Sequence, residues 1–269
     1  MTVTTGRKPA GAQAGEVPPM RGDPRLRARR AEVQRRAGRR RLHRLVAVVG
    51  TALVVTLALV VLHSPLLAAR DVTVTGASRT GREAVLLATG LDRHPPLVDV
   101  SARADEAALR RLPWIARAVV TRSWPSSVHV VVTERSPVAE IPVSSGIYAL
   151  VDPTGRVLED TAVRVGALAL VTGITAVPRP GGWLPRQDDG LVEVAGALPE
   201  ALVSRVARVV GVAGGQVELH LASGQRVDLG PPTSLGAKMT ALTTVLDRVA
   251  LGGIVTIDLR VPADPVLTS

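Results

Sequence analysis

Hydrophobic positions fall into three regimes along the 269 residues. Residues 1–44 show no apolar period. Leu45–Leu62, LVAVVGTALVVTLALVVL, is an aliphatic run without a charge, interrupted only by Gly50, Thr51 and Thr56. A helix of that length rises roughly 27 Å, close to the ~30 Å hydrocarbon core of a bilayer, and satisfies its own backbone hydrogen bonds there. The pattern predicts a membrane-spanning helix over residues 45–67, with Pro65 as the natural stop. A buried core helix would be shorter and carry a polar stripe. A cleaved signal peptide would have a shorter apolar region and a small-residue site, whereas Leu67-Ala68-Ala69 offers a bulky leucine.

Beyond the span the period changes to short alternating stretches. Asp71–Gly76 reads as a strand, Gly81–Gly90 as a helix ended by Gly90, and Ser101 as the cap of a helix carrying Leu109 and Leu112. Pro113 closes that helix, and Trp114–Arg122 and Val128–Glu134 read as strands joined by a turn at Trp124-Pro125-Ser126. The order is β-α-α-β-β. The remainder of the chain is β-rich: Val138–Val143 and Ile147–Val151, a turn at Asp152–Gly155, a strand within Val163–Val171, and a loop over Pro178–Arg186. Two short helices fit Gly190–Val206, and strands fit Ala207–Val212, Gln216–Leu221 and Gln225–Leu229. Ser234 is placed to cap a helix over Leu235–Leu251 with Leu235, Met239, Leu242, Leu246 and Val249 on one stripe. The last predicted strand is Val255–Val261, with Val255, Ile257, Leu259 and Val261 on one face and Thr256, Asp258 and Arg260 on the other. Pro262 and Pro265 are expected to deny the chain further sheet pairing. The fold class is α+β.

Charge orients the span. Residues 1–44 hold 13 Lys and Arg, among them Arg39, Arg40, Arg41 and Arg44 beside the apolar run, against three acidic residues. Basic residues near a span stay on the cytoplasmic side, so the leader is expected inside and the rest outside. Of the chain's 33 basic and 23 acidic groups, this leaves 20 of each for the remaining 225 residues. The net charge of +10 is therefore local to the leader, suits anionic lipid headgroups, and is no sign of nucleic-acid binding. The leader, 1–44, reads as largely disordered, with Arg21–Arg44 open to helix formation near the membrane surface. Zero Cys excludes disulfides in the outer part, and with no Phe, one Tyr and three Trp its core must be aliphatic. Arginine exceeds lysine 31 to 2, as in a high-GC genome.

Several short motifs then combine: Val74-x-Gly76, Leu112-Pro113-Trp114, Arg122-Ser123-Trp124-Pro125 and Glu134-Arg135-Ser136-Pro137-Val138-Ala139. In this order, just past a span, they resemble the POTRA domain of the FtsQ/DivIB cell-division family. Gly76, Pro113, Trp114, Trp124, Pro125 and Pro137 are structural members of that motif. Leu150-Val151-Asp152-x-x-Gly155, Gly224-x-x-Val227-x-Leu229-Gly230, Lys238 and Ile257-Asp258-Leu259-Arg260 are similar to the family's β domain, so the likeness covers about residues 45–264. It implies a POTRA domain at 70–138, a β domain at 139–262 and a tail at 263–269. It further implies a divisome scaffold that binds FtsB/FtsL-type bitopic proteins and is concentrated at the septum. The family's mode of capture is strand addition to the last strand, which carries over to Thr256, Asp258, Leu259, Arg260 and Val261, with Arg260 meeting an acidic partner residue. Val261 stands where some relatives have an aromatic.

For chemistry, the sequence offers no nucleophile elbow, phosphate-cradling loop or zinc-ligand spacing. The five His are scattered; Asp152 and Asp258 read as isolated carboxylates with turn or surface roles. No cofactor, metal or small-molecule substrate is expected, and the chain is read as a non-enzyme. The alternative is a membrane-anchored envelope enzyme or sensor with an unrecognised site. An outer-membrane assembly factor would need several repeats and a barrel with aromatic girdles.

Overall fold

In the computed structural model, residues 24–249 and 252–269 are described, with side chains from Leu42 onward. The chain divides into two compact units, residues 1–60 and 61–269.

In the first unit, helix α1 begins at Pro24 and runs to Leu62. Its Leu42–Leu62 portion has mean hydropathy 2.9 and none of it is buried, so it is long and apolar enough to cross a bilayer. The basic leader, read as largely disordered but open to helix formation over Arg21–Arg44, is helical from Pro24, because arginine, alanine, glutamate and glutamine are all good helix formers. Residues 1–23 lie outside the described part, as do the side chains of Arg39, Arg40 and Arg41; Arg44 is exposed. The α-helix ends at Leu62 rather than continuing to 67. Ser64, which precedes Pro65, is pushed to an extended backbone (φ −72°, ψ 153°), and Pro65–Leu67 forms a 3-10 turn.

The second unit opens with a three-stranded sheet. Strand β1 (Asp71–Thr75) is followed by α2 (Arg82–Thr89), α3 (Ala102–Leu109), β2 (Ile115–Ser123) and β3 (Ser127–Glu134). The sheet order is β1-β3-β2, with β3 parallel to β1 and antiparallel to β2. Alternation does the folding: Val128, Val130 and Val132 of β3 all face inward against Ile115, Ala118 and Val120 of β2, with Val85, Leu91, Leu97 and Leu109 closing the core. The predicted caps hold, with Ser101 accepting from the Ala104 amide and Gly90 left-handed at the end of α2. Gly76 is obligatory: at φ +82° a Cβ would lie 2.0 Å from the Val132 carbonyl oxygen.

The second sheet has nine strands: β4 (Ala139–Ser144), β5 (Ile147–Val151), β6 (Val157–Thr161), β7 (Ala169–Thr172), β8 (Val206–Val212), β9 (Gln216–Leu221), β10 (Arg226–Gly230), β11 (Thr256–Asp258) and β12 (Val266–Thr268). Their order is β12-β11-β10-β9-β8-β7-β4-β5-β6. Helix α4 (Asp189–Ala197) lies against β4, β7, β8, β9 and helix α6 (Leu235–Arg248), and the short α5 (Glu200–Val203) packs on β8. Val, Leu, Ile, Ala and one Met make up this core, as the missing aromatics require.

Several expectations are corrected. Strand β6 lies where no strand was expected, whereas β7 (Ala169–Thr172) falls at the end of the 163–171 stretch where a strand was expected. Ser234 is left-handed (φ 53°) and makes no capping bond. The predicted stripe of α6 does face the core, with Met239 and Leu242 buried and Leu235, Leu246 and Val249 packed against it, and the buried face also takes in Lys238 and Val245. Beyond α6, Ala250 and Leu251 lie outside the described residues. The predicted seven-residue last strand is three residues long, and its edge is not free, because β12 pairs with it past both prolines. Pro262 and Pro265 only shape the intervening turn, closed by the Asp264 amide donating to the Val261 carbonyl; pairing resumes at Val266, where amides are available again.

Candidate partner-binding edge

Strand β11 pairs parallel to β10, with Thr256 opposite Arg226, Ile257 opposite Val227 and Asp258 opposite Asp228. Ile257 and Leu259 are fully buried and belong to the core shared with α4 and α6. Val255 and Val261, expected on the same face, are instead exposed. The alternation therefore holds only for the central pair, because the chain leaves sheet geometry on either side of β11.

Thr256 and Asp258 point to the other face, which is polar across three strands. His220 Nε2 lies 3.6 Å from Glu218 Oε2, Arg226 Nε lies 3.4 Å from Asp228 Oδ1, and Arg208 Nη2 lies 3.2 Å from His220 Nδ1. Arg260 completes the row. Its Nε donates to both oxygens of Asp258 at 3.0 and 2.9 Å, its Nη2 donates to Oδ2, and its own amide donates to Oδ1 at 2.9 Å. Asp258 is thus not isolated. The Arg260 side-chain hydrogen bond holds its carboxyl below the usual carboxylate value, against some desolvation, and Asp258 in turn raises the Arg260 guanidinium. A shallow groove of about 180 Å³, lined by Gln216, Glu218, Asp228, Gly230 and Arg260, opens beside the pair.

The residue that sets β10 in place is Lys238. It is fully buried on α6, and its Nζ donates to the carbonyls of Leu229 at 2.6 Å and Pro231 at 2.7 Å. Those carbonyls flank the β-bulge at Gly230, where the β9–β10 register shifts and ladder partners are lost. Burial lowers the Lys238 ammonium from its ordinary value. Sequence reasoning met this lysine only through the family likeness. On periodicity it looks like a polar position beside the Met239–Leu242 stripe, and nothing in the pattern signals that two carbonyls await it.

A second polar cluster, also missed, joins the two sheets. Arg135, one residue past β3, donates to Asp152 at 2.5 Å, to Thr154 Oγ1 at 3.3 Å and to the Ile115 carbonyl at 3.3 Å. The other Asp152 oxygen accepts from the Thr154 amide and hydroxyl and from the Arg156 amide, which locks the turn after β5. Arg156 then reaches back to the carbonyls of Arg110, Arg111 and Leu112 that follow α3. Burial and the nearby Arg135 charge lower its guanidinium, with Asp152 opposing. Both arginines lie over the Trp183 ring, at 5.6 and 5.4 Å.

Trp114 belongs here too. Rather than packing the first sheet, it is buried with Leu150 and Leu158 of the second, and Arg79 lies 4.7 Å above its ring. Pro113 approaches Gly181 in the loop after β7. Pro125 forms the β2–β3 turn, Trp124 beside it is exposed, and Pro137 sits between β3 and β4. Among the described residues no group of three His, Asp or Glu is placed to hold a metal.

The FtsQ-type POTRA domain family matches residues 67–135, the first sheet with its helices, and the family "Cell division protein FtsQ/DivIB, C-terminal" matches residues 141–260, the second sheet up to Arg260. The chain is 33% identical to the cell division protein FtsQ of Streptomyces collinus over 94% of this chain and 98% of that one. It is 31% identical to FtsQ of Mycobacterium leprae over 69% of this chain and 52% of that one. Among solved structures it is similar to the major extracytoplasmic domain of the trans isomer of the cell division protein DivIB from Geobacillus stearothermophilus, at 16% identity and TM-score 0.32, over 44% of this chain and 98% of that one. With two adjoining family matches that together span most of the residues after the apolar helix, and a relative aligned almost end to end, the chain belongs to the FtsQ/DivIB cell-division family.

Proposed function

We propose that the chain is a single-pass divisome scaffold, its Arg-rich leader in the cytoplasm and both sheets outside, concentrated at the septum. It holds an extended segment of an FtsB-type partner, itself paired with an FtsL-type protein, by strand addition at the β11 edge. The observation that carries this reading is the build of β11. Its inward side chains are locked into the core while its outer face ends in a polar row, so its backbone is held at a fixed position, with only the exposed β12 on its outer edge. Arg260, with Thr256, Asp258, Leu259 and Val261 around it, is the charged reader of an acidic partner side chain. The cationic leader supports the orientation. The first sheet serves recruitment by further divisome members.

The test is capture of the FtsB-type protein of the same organism by the full chain in detergent, wild type against Arg260→Glu and Val261→Glu. Arg260→Glu places a like charge against the acidic residue, and capture is expected to fall at least tenfold. Undiminished capture by both variants would remove the site. Deleting the chain from Val255 onward is not an equivalent test, because Ile257 and Leu259 are core.

A further inference from the structure

Strand β12 occupies the position that strand addition needs. Thr268, Leu267 and Val266 stand opposite Thr256, Ile257 and Asp258, antiparallel, and the Val255 amide donates to the Thr268 carbonyl at 2.9 Å. Yet β12 contributes nothing to the interior. All three of its residues are exposed, Val266 by 53% and Leu267 by 38%, whereas its neighbour β11 is anchored through Ile257 and Leu259. The segment also lies past residue 260, where the FtsQ/DivIB match ends. Its backbone bonds to β11 are of a kind that any incoming strand replaces one for one, so its departure would leave the core as it is.

We infer that residues 263–269 are a built-in competitor for the partner strand: β12 caps the β11 edge when the chain is alone and is displaced on capture. This rests on the strand-addition reading above. The physics comes from the tether. A segment joined through a short turn meets its edge at an effective concentration on the order of millimolar, without meeting a partner's side-chain demands. It keeps the unpaired edge of β11 from templating aggregation. It also lowers apparent partner affinity by the fraction of time the edge is open. With the edge closed about nine-tenths of the time, removing the competitor strengthens capture roughly tenfold. The plug acts through the backbone and leaves the Asp258–Arg260 pair in place, so selectivity for an acidic partner stays with β11 while the threshold for capture is set by β12.

The experiment uses the full chain in detergent or nanodiscs with the full-length FtsB-type protein of the same organism. One variant removes residues 263–269, and a second, Val266→Pro, takes a ladder amide from β12 without shortening the chain, because Thr256 and Asp258 face β12 while Ile257 faces β10. A third carries Thr256→Cys and Thr268→Cys, a directly opposed pair in a chain with no cysteine of its own, so that oxidation locks the plug in place. The expected result is about tenfold tighter capture by the first two, loss of capture by the oxidised third, and recovery on reduction. Unchanged or weaker capture after removal, with the same from Val266→Pro, overturns the inference. The lock then reports separately on strand addition. Loss on oxidation keeps β11 as the site, weaker capture on removal with no effect of the lock moves the partner strand to the free edge of β12, and indifference to all three variants removes the edge altogether.

Discussion

Arg135 meets Asp152 at 2.5 Å with 14% and 3% of their side chains exposed, whereas Arg260 meets Asp258 with 64% and 24% exposed. The two pairs use the same chemistry at opposite ends of the nine-stranded sheet. In the first, each partner is held by several further bonds and an aromatic face, so water has little access and neither charge can leave without stranding the other. In the second, the guanidinium is turned to solvent and its hydrogen bonds go to Asp258, two positions back at the end of β11. An exposed pair of this kind contributes little to stability, and for the same reason its arginine can be transferred to another carboxylate at small cost. Burial, more than identity, separates a latch from a pair free to exchange partners.

The largest effect is expected from breaking the latch. Asp152→Ala leaves Arg135 half of a buried pair and unlocks the turn that positions Arg156, which should cost roughly 3–5 kcal/mol. For a folded unit of this size that corresponds to a fall of roughly 10 °C in Tm. Thermal unfolding followed by circular dichroism checks it. A replacement of both partners, Arg135→Met with Asp152→Leu, should recover part of the loss, because no lone charge then remains buried. A Tm unchanged by Asp152→Ala would put this pair in the same class as the exposed one.

Between these extremes lies Glu134, at the end of β3. Its carboxylate accepts from the Ser78 hydroxyl at 2.6 Å and from the amides of Arg79 and Thr80 at 3.0 and 2.7 Å, and so ties the turn before α2 to the sheet. Partial burial works against its charge, but those donors outweigh it and hold the carboxyl at about 2, against 4.5 in the unfolded chain. A depressed carboxyl contributes stability above its unfolded value and loses it as pH falls through the folded one. The wild type should therefore shed about 1 kcal/mol specifically between pH 4.5 and 2, a figure kept small because the site is partly open to solvent. In Glu134→Gln that slope should be absent, and denaturant titrations at pH 7, 4 and 2.5 read it. Parallel pH curves for the two proteins would show that the donors do not favour the ionised form.

What could be read in the sequence divides along the same line. The first sheet was legible element by element because its signals are local: a two-residue period in Val128–Val132, Ser101 as a cap and Gly90 as a stop. Pro113 was not the stop it was read as, since α3 already ends at Leu109, ahead of Leu112. The apolar span needed only length and the absence of charge. The second sheet kept its strands but hid its polar organisation, since Asp152, Arg156 and Lys238 act on groups 17, 46 and 9 residues away, and no period encodes such a pairing. Strand β12 was hidden for another reason. Three residues between Pro265 and Ser269 carry too little pattern to outvote two prolines, although proline removes only its own amide. The edge of β11 was identified as the candidate site from the family likeness, while its occupancy by the chain itself could come only from the pairing.

The smallest effect on stability, and the one that sharpens the comparison most, belongs to the exposed pair. Arg260→Ala should leave unfolding free energy nearly unchanged, since only a solvent-exposed ion pair is lost. Asp258→Asn should do as little, because the amide oxygen can still accept from the Arg260 backbone. Their effects on capture of an FtsB-type partner should nevertheless be opposite. Removing Arg260 takes away the cation and leaves Asp258 beside Asp228, two carboxylates facing an acidic partner, so capture weakens. Replacing Asp258 frees the guanidinium and removes one of the repelling charges, so capture tightens by up to about fivefold, the binding equivalent of roughly 1 kcal/mol. The gain should shrink as salt is raised, because these charges are open to screening. Isothermal titration at two ionic strengths measures all of this. If the two substitutions weaken binding alike, the pair works as a unit that the partner recognises intact, and Arg260 is no more transferable than Arg135.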